Sequence, residues 1–138
     1  MRQASGTLTV TAPRQGLHLI TDAVAAWDAE QEMSEGLLTL LVRHTSASLL
    51  IQENAAPAAR RDIERWLTRM APESGDYEHD DEGVDDMPAH LRSALTATSL
   101  SIPVLHGEMR LGTWQGIYLC EHLYRPRRRE IAIHLVGE

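Results

Sequence analysis

Two imidazoles and a run of carboxylates share one short stretch of this chain. Tyr77-Glu78-His79-Asp80-Asp81 is followed by Asp85-Asp86-Met87-Pro88-Ala89-His90. So much negative charge in one place costs free energy unless protons or cations offset it. Neutral imidazole nitrogens are borderline metal ligands and carboxylates are harder ones, so a divalent cation such as zinc or magnesium would answer the charge. The spacing matches no zinc signature, and a solvated acidic loop remains the alternative reading. A metal also requires a third ligand from elsewhere. His44 is the candidate, since it ends the apolar run Leu37 to Val42 and opens the polar segment His44-Thr45-Ser46-Ala47-Ser48; taken alone, it reads as a satisfied core histidine.

Other residues fall into looser patterns. Alternation along Trp114 to His122 puts Glu121 on one face with Gln115, Ile117 and Leu119. A carboxylate there can act as a general base or hold a histidine tautomer. Its structural alternative is an ion pair with one of Arg127 to Arg129. In Leu111-Gly112-Thr113-Trp114-Gln115-Gly116 the glycines permit close backbone approach but weaken a strand. A phosphate held by backbone N–H groups and Thr113 would explain them, and so would a bulge that packs Trp114 into the core. Thr45, Ser46 and Ser48 can donate to phosphate oxygens or satisfy the backbone at a strand end. Of the seven histidines, His18 and His134 lie in alternating strands and His106 precedes a turn glycine. Cys120 sits inside a strand and reads as a small buried hydrophobe.

The elements that must position these groups follow from periodicity. Thr7 to Thr11 alternates as a half-buried strand, and Gly16 to Ile20 is expected to pair back onto it. Thr21 or Asp22 caps a helix, and Gly36 turns the chain into a strand, Leu37 to Val42, expected to be buried on both faces. Pro57 opens an amphipathic helix carrying Ala59, Ile63, Trp66, Leu67 and Met70, with Asp62 beside the stripe, and Pro72 stops it. Glu73 to Met87 is a long aperiodic loop. Pro88 is expected to open a further helix with His90 in its first turn, where outward-pointing N–H groups attract anions. Four strands follow: Ser99 to Leu105, Met109 to Leu111, Trp114 to His122 and Arg129 to Val136. The order is that of an α+β protein.

Composition narrows the functional classes. With 138 residues and 43% hydrophobic content, one domain can bury a genuine core. The net charge of −7 is concentrated in the loop, where Glu73, Asp76, Glu78, Asp80, Asp81, Glu82, Asp85 and Asp86 lie. Nucleic acid needs a broad positive surface, and only Arg125, Arg127, Arg128 and Arg129 cluster. That cluster suits a small phosphate or a solvated turn. The single cysteine allows no internal disulfide, the opening MRQASGTLTV lacks a secretory pattern, and no apolar run is long enough to span a membrane. A cytoplasmic protein is expected.

His44-Thr45-Ser46-Ala47-Ser48, Glu53-Asn54, Asp85-Asp86-Met87-Pro88-Ala89-His90-Leu91, Ser101-Ile102-Pro103-Val104 and Leu111-Gly112-Thr113-Trp114-Gln115-Gly116-Ile117 together resemble the YjbQ-like family of secondary thiamine-phosphate synthases, in identity and in order. The resemblance covers nearly the whole chain. It implies a compact α+β fold with a β-sandwich-like core and flanking helices, assembled as a homotrimer with sites near subunit interfaces. It also implies coupling of a hydroxymethylpyrimidine pyrophosphate to a thiazole phosphate with release of pyrophosphate. Carried onto matching positions, the site comprises His44, Ser46, Asn54, Asp62, His79, Asp86, His90, Thr113, Gln115 and Glu121. In this reading His44, His79 and His90 converge on a divalent cation or directly on a phosphate of a small phosphorylated metabolite. Asp62, Asp86 and Glu121 serve in catalysis, the last two as acid–base groups or supports, and Ser46, Asn54, Thr113 and Gln115 bind substrate. The rival expectations are a non-catalytic metal- or phosphometabolite-binding module and a metal-dependent hydrolase. Ala56-Pro57, Ala97 and Leu123 depart from the family pattern, which expects Asp-Pro, glycine and arginine there.

Overall fold

The computed structural model describes residues 1–138. Eight strands and three helices follow in the order β1 (Arg2–Ala12), β2 (Gly16–Leu19), α1 (Thr21–Glu30), β3 (Glu35–Val42), β4 (Ala47–Glu53), α2 (Pro57–Met70), α3 (Asp86–Leu95), β5 (Ser99–Leu105), β6 (Glu108–Met109), β7 (Gln115–Glu121) and β8 (Arg127–Gly137). Two antiparallel sheets result, β1-β8-β3-β5-β6 and β2-β7-β4. They face one another across a core that includes Leu38, Leu40, Leu49, Ile117, Leu119, Ile131, Ile133 and Leu135, each 2% exposed or less. The fold is α+β with a sandwich-like centre, as the strand periods require.

Several local expectations change in three dimensions. β2 pairs with β7 rather than with β1. β1 is fully engaged by β8 from Arg2 to Ala12, and Pro13, which has no N–H to donate, ends that ladder and lets the chain cross to the other sheet. Thr21 does not cap α1; its hydroxyl accepts the Ile117 N–H at 2.9 Å and so ties the helix start to β7. β4 corresponds to no expected element: the polar segment ends at Ser48, and the short apolar run Leu49 to Ile51 after it carries no alternation. It lies on β7 in register from Ala47 with Glu121 to Glu53 with Gln115.

β3 is buried on one face only. Leu38, Leu40 and Val42 point inward, while Leu37 and Leu41 are 43% and 45% exposed. A five-stranded sheet with a single covering layer leaves the outer side of its central strand open. α2 packs through Ile63 and Leu67 on Leu17, Tyr118 and Cys120, with Trp66 and Met70 outside. α3 begins at Asp86, two residues before Pro88, so His90 lies beyond the first turn. No helix is long and apolar enough to cross a membrane.

Candidate functional site

α3 brings Asp86 and His90 together. A proline in the first turn of a helix loses no hydrogen bond, so Pro88 is compatible with a start at Asp86. That start puts the Asp86 carboxylate at the positive end of the helix and places His90, four residues on, over the same face. His90 Nε2 lies 3.1 Å from Asp86 Oδ2. The preceding loop delivers His79, whose Nε2 is 2.9 Å from the same oxygen. The loop is tied at one end by the Tyr77 hydroxyl, which donates to the Pro72 carbonyl at 2.5 Å. At the other end Asp85 Oδ2 accepts the Tyr124 N–H at 3.0 Å. The two imidazole centroids are 5.8 Å apart and inclined by 38°.

The partner of the other His90 nitrogen makes this arrangement informative. His90 Nδ1 is 2.9 Å from the Thr45 carbonyl oxygen. A carbonyl only accepts, so Nδ1 carries the proton, and in the neutral ring Nε2 is then a bare lone pair. That lone pair faces a carboxylate oxygen, which in its ionised form also only accepts. Two acceptors do not attract, so a proton or a cation belongs between them. A backbone carbonyl that fixes the ring through its second nitrogen is the usual support of a metal-bound histidine. One ligand atom each from His79, Asp86 and His90 lies within 4.8 Å of the other two. The donor set therefore suits a divalent cation.

Within one chain His44 stands outside this cluster. Its Nε2 accepts the Glu130 N–H at 2.8 Å. Burial first, and the Arg129 charge second, hold its pKa below the ordinary histidine value. Asp86 occupies the position assigned to His44, because α3 starts early enough to put Asp86 one turn before His90. The segment after His44 still contributes, since Thr45 supplies the carbonyl that orients His90.

Glu121 is structural in this arrangement. It is 1% exposed. Arg129 Nε donates to Oε1 at 2.7 Å, Arg129 Nη2 donates to Oε2, and the Leu123 N–H donates to Oε2 at 3.2 Å. With its lone pairs so engaged, it has no role as a free general base. Ser46 belongs to the same network, its carbonyl and hydroxyl oxygens accepting from Arg129 Nη2 at 3.1 and 3.0 Å. Asp62 is exposed on α2 and pairs with Arg65 at 2.8 Å, away from the cluster.

Asn54, Thr113 and Gln115 lie at the far end of the β4–β7 pair. Six residue steps separate Ala47 from Glu53 on β4, roughly 20 Å at the rise of an extended strand. Within one chain these residues and Ser46 cannot hold one small phosphate. Gln115 closes its own turn, accepting the Gly112 N–H at 2.8 Å. A Cβ on Gly116 would stand 2.7 Å from Leu19 Cδ1 and 2.9 Å from Asn54 Cβ, so close packing accounts for that glycine. Trp114 is 65% exposed and does not fill the core. Cys120 is fully buried and its thiol is pushed up to about 12 by desolvation, as a packing residue.

Residues 6–138 match the model of the family described as UPF0047 protein YjbQ-like. A UPF0047 protein of Synechocystis is 46% identical over 99% of this chain and 94% of its own length. The UPF0047 protein YjbQ of Escherichia coli O157:H7 is 47% identical over 96% of both chains. Among solved structures, a hypothetical protein of Aeropyrum pernix superposes with a TM-score of 0.88 at 30% identity, over 98% of this chain and 99% of the other.

Proposed function

This chain belongs to the YjbQ-like UPF0047 family, and from that premise we propose that it is a thiamine-phosphate synthase-like transferase with a divalent cation on His79, Asp86 and His90. The supporting observation is the His90 ring: its Nδ1 is committed to the Thr45 carbonyl, which turns the Nε2 lone pair toward the Asp86 carboxylate 3.1 Å away. Two imidazoles and one carboxylate favour a borderline ion such as zinc over magnesium. Such a cation supplies Lewis acidity that stabilises negative charge on a departing pyrophosphate. The chain's own contribution is orientation. Thr45 and α3 fix the His90 ring, and Asp86 spans both imidazoles.

The distance between the cluster and the Asn54, Thr113 and Gln115 group supports assembly. If those residues bind substrate, a second copy must bring them to the first copy's cluster, which agrees with a homotrimer having sites at its interfaces. Leu37 and Leu41, exposed on the outer face of β3, offer apolar surface for such contacts.

The test has two parts. Zinc titration by calorimetry should give saturable binding that His90→Ala abolishes. Incubation with hydroxymethylpyrimidine pyrophosphate and thiazole phosphate should yield thiamine phosphate with wild type and far less with His90→Ala. Zinc binding without turnover would assign a binding module instead. Release of pyrophosphate without the thiazole partner would assign a hydrolase.

A further inference from the structure

Two arginines are buried in this protein, and only one has a counter-ion. Arg129 is paired with Glu121. Arg92, on α3, is 3% exposed, and the one bond its guanidinium makes is from Nη2 to the Ala71 carbonyl at 2.7 Å. Its Nε is fully buried with no partner. Glu73 and Asp85 reach it only as longer-range charges. A buried cation without a paired anion is costly to keep.

Beside Arg92, a recess of about 260 Å³ opens between β2, α2, α3 and β7. Leu17 and Leu67 are its only hydrophobic lining. Each carboxylate on its wall already accepts at least one hydrogen bond. Glu64 Oε2 accepts the Leu17 N–H at 2.8 Å, and Glu121 is held by Arg129 and Leu123. Gln15 closes one side by donating to the His122 carbonyl at 3.0 Å. His122 binds Ser48 Oγ through Nε2 at 2.8 Å, which leaves Nδ1 without a protein partner. The uncommitted groups on the wall are therefore the remaining N–H groups of Arg92, the Arg14 guanidinium and one imidazole nitrogen, which come from three different segments, with Glu64 Oε1 and the Gln15 side-chain oxygen as the acceptors left over.

We propose that this recess is a phosphate-binding site anchored on Arg92, with Arg14 as a flanking donor and with His122 Nδ1, which carries the proton when Nε2 accepts from the Ser48 hydroxyl, beside them. Donors arriving from several directions suit a tetrahedral group with oxygens on every side, and a guanidinium matches two of those oxygens at once. The volume suits a free phosphate or the phosphate end of a small ester, smaller than the usual cavity for a drug-sized ligand. The site is separate from the cation cluster. Two residues along α3 correspond to a rotation of about 200°, so Arg92 and His90 serve opposite sides of one helix. The inference does not depend on that cluster binding a metal.

The experiment is calorimetric titration of the full chain with inorganic phosphate, and separately with glycerol phosphate, in the presence of a chelator. Saturable one-to-one binding is expected, weakened at least about tenfold by Arg92→Met and several-fold by Arg14→Gln, as loss of charge-assisted bonds requires. His90→Ala should leave it unchanged. Binding of inorganic phosphate alone assigns the free anion, and binding of both assigns an ester headgroup; either supports the site. Arg14→Gln alters an exposed side chain, so it carries the test if Arg92→Met fails to fold, together with phosphate-induced amide shifts at Gly16, Leu17 and His122 in wild type. No saturable binding, binding indifferent to both arginine variants, or shifts confined elsewhere would overturn the proposal.

Discussion

Glu121 on β7 and Arg129 on β8 form a buried two-point ion pair that joins the three-stranded sheet to the five-stranded one. Arg129 also holds Ser46, at the β3–β4 connection, through two further bonds. Removing one member strands the other as a buried charge. Glu121→Ala is expected to destabilise the protein by roughly 3–5 kcal/mol in chemical denaturation. The double change Glu121→Leu with Arg129→Met should recover much of that loss. If Glu121→Ala proves as stable as wild type, the pair does not hold the sheets together.

Asp86 and Asp62 provide a contrast between a carboxylate shared by two imidazoles and one paired only with Arg65. Asp86→Asn should lower zinc affinity by at least about 10–100-fold, the range found for weaker, outer supports of metal sites. Asp62→Asn and His44→Ala should leave it within a few-fold. A zinc affinity that followed His44 rather than Asp86 would reinstate the histidine triad expected from the sequence.

His122 gives the protein an acid-sensitive element. Burial, reinforced by the Arg92 and Arg129 charges, brings its pKa down to about 3, against about 6.5 for an unfolded histidine. Below pH 6.5 the unfolded chain takes up a proton that the native ring refuses. Stability should then fall by up to about 1.4 kcal/mol per pH unit between roughly pH 6.5 and pH 3. Above pH 6.5 this contribution is fully present. His122→Gln should flatten that arm of the stability profile measured by urea unfolding, and an unchanged slope would remove His122 as its source.

Asp28, 3% exposed in α1, keeps Oδ1 buried without a partner, and burial raises its pKa above the usual carboxylate value. The native state therefore holds this proton more tightly than the unfolded chain. The associated stability is present at low pH and is lost as pH rises through the native value. At neutral pH, Asp28→Leu should raise stability by about 1–3 kcal/mol, the cost of an unpaired buried polar group. Equal melting temperatures for the two proteins across pH 4 to 8 would contradict this.

Leu37 and Leu41 test the proposed assembly. Charged residues on an apolar contact face prevent its burial, so the pair Leu37→Glu and Leu41→Glu should convert a trimer to monomers in sedimentation equilibrium. The circular dichroism spectrum should stay the same. A wild-type protein that sediments as a monomer would exclude the trimer directly.

Local chemistry alone was enough for most elements. Alternation marked β5, β7 and β8, Pro57 marked the start of α2, and the crowding of carboxylates around His79 and His90 marked the region of the cluster. These signals need only neighbours in the chain. Partners distant in sequence were a different matter. The sequence offered an ion pair of Glu121 with one of Arg127 to Arg129 as an alternative to a general base, but that Arg129 would be the partner, that β2 would lie on β7 and that Arg92 would be buried without a counter-ion depend on how two sheets stack, and no period along the chain encodes stacking. The helix start at Asp86 shows how narrow the margin is. Placed two residues later, as Pro88 alone suggested, α3 would not contain Asp86 and the carboxylate would not stand one turn from His90. Side-chain identity selects what chemistry is possible at a position, whereas the packing of remote segments decides which of those groups meet.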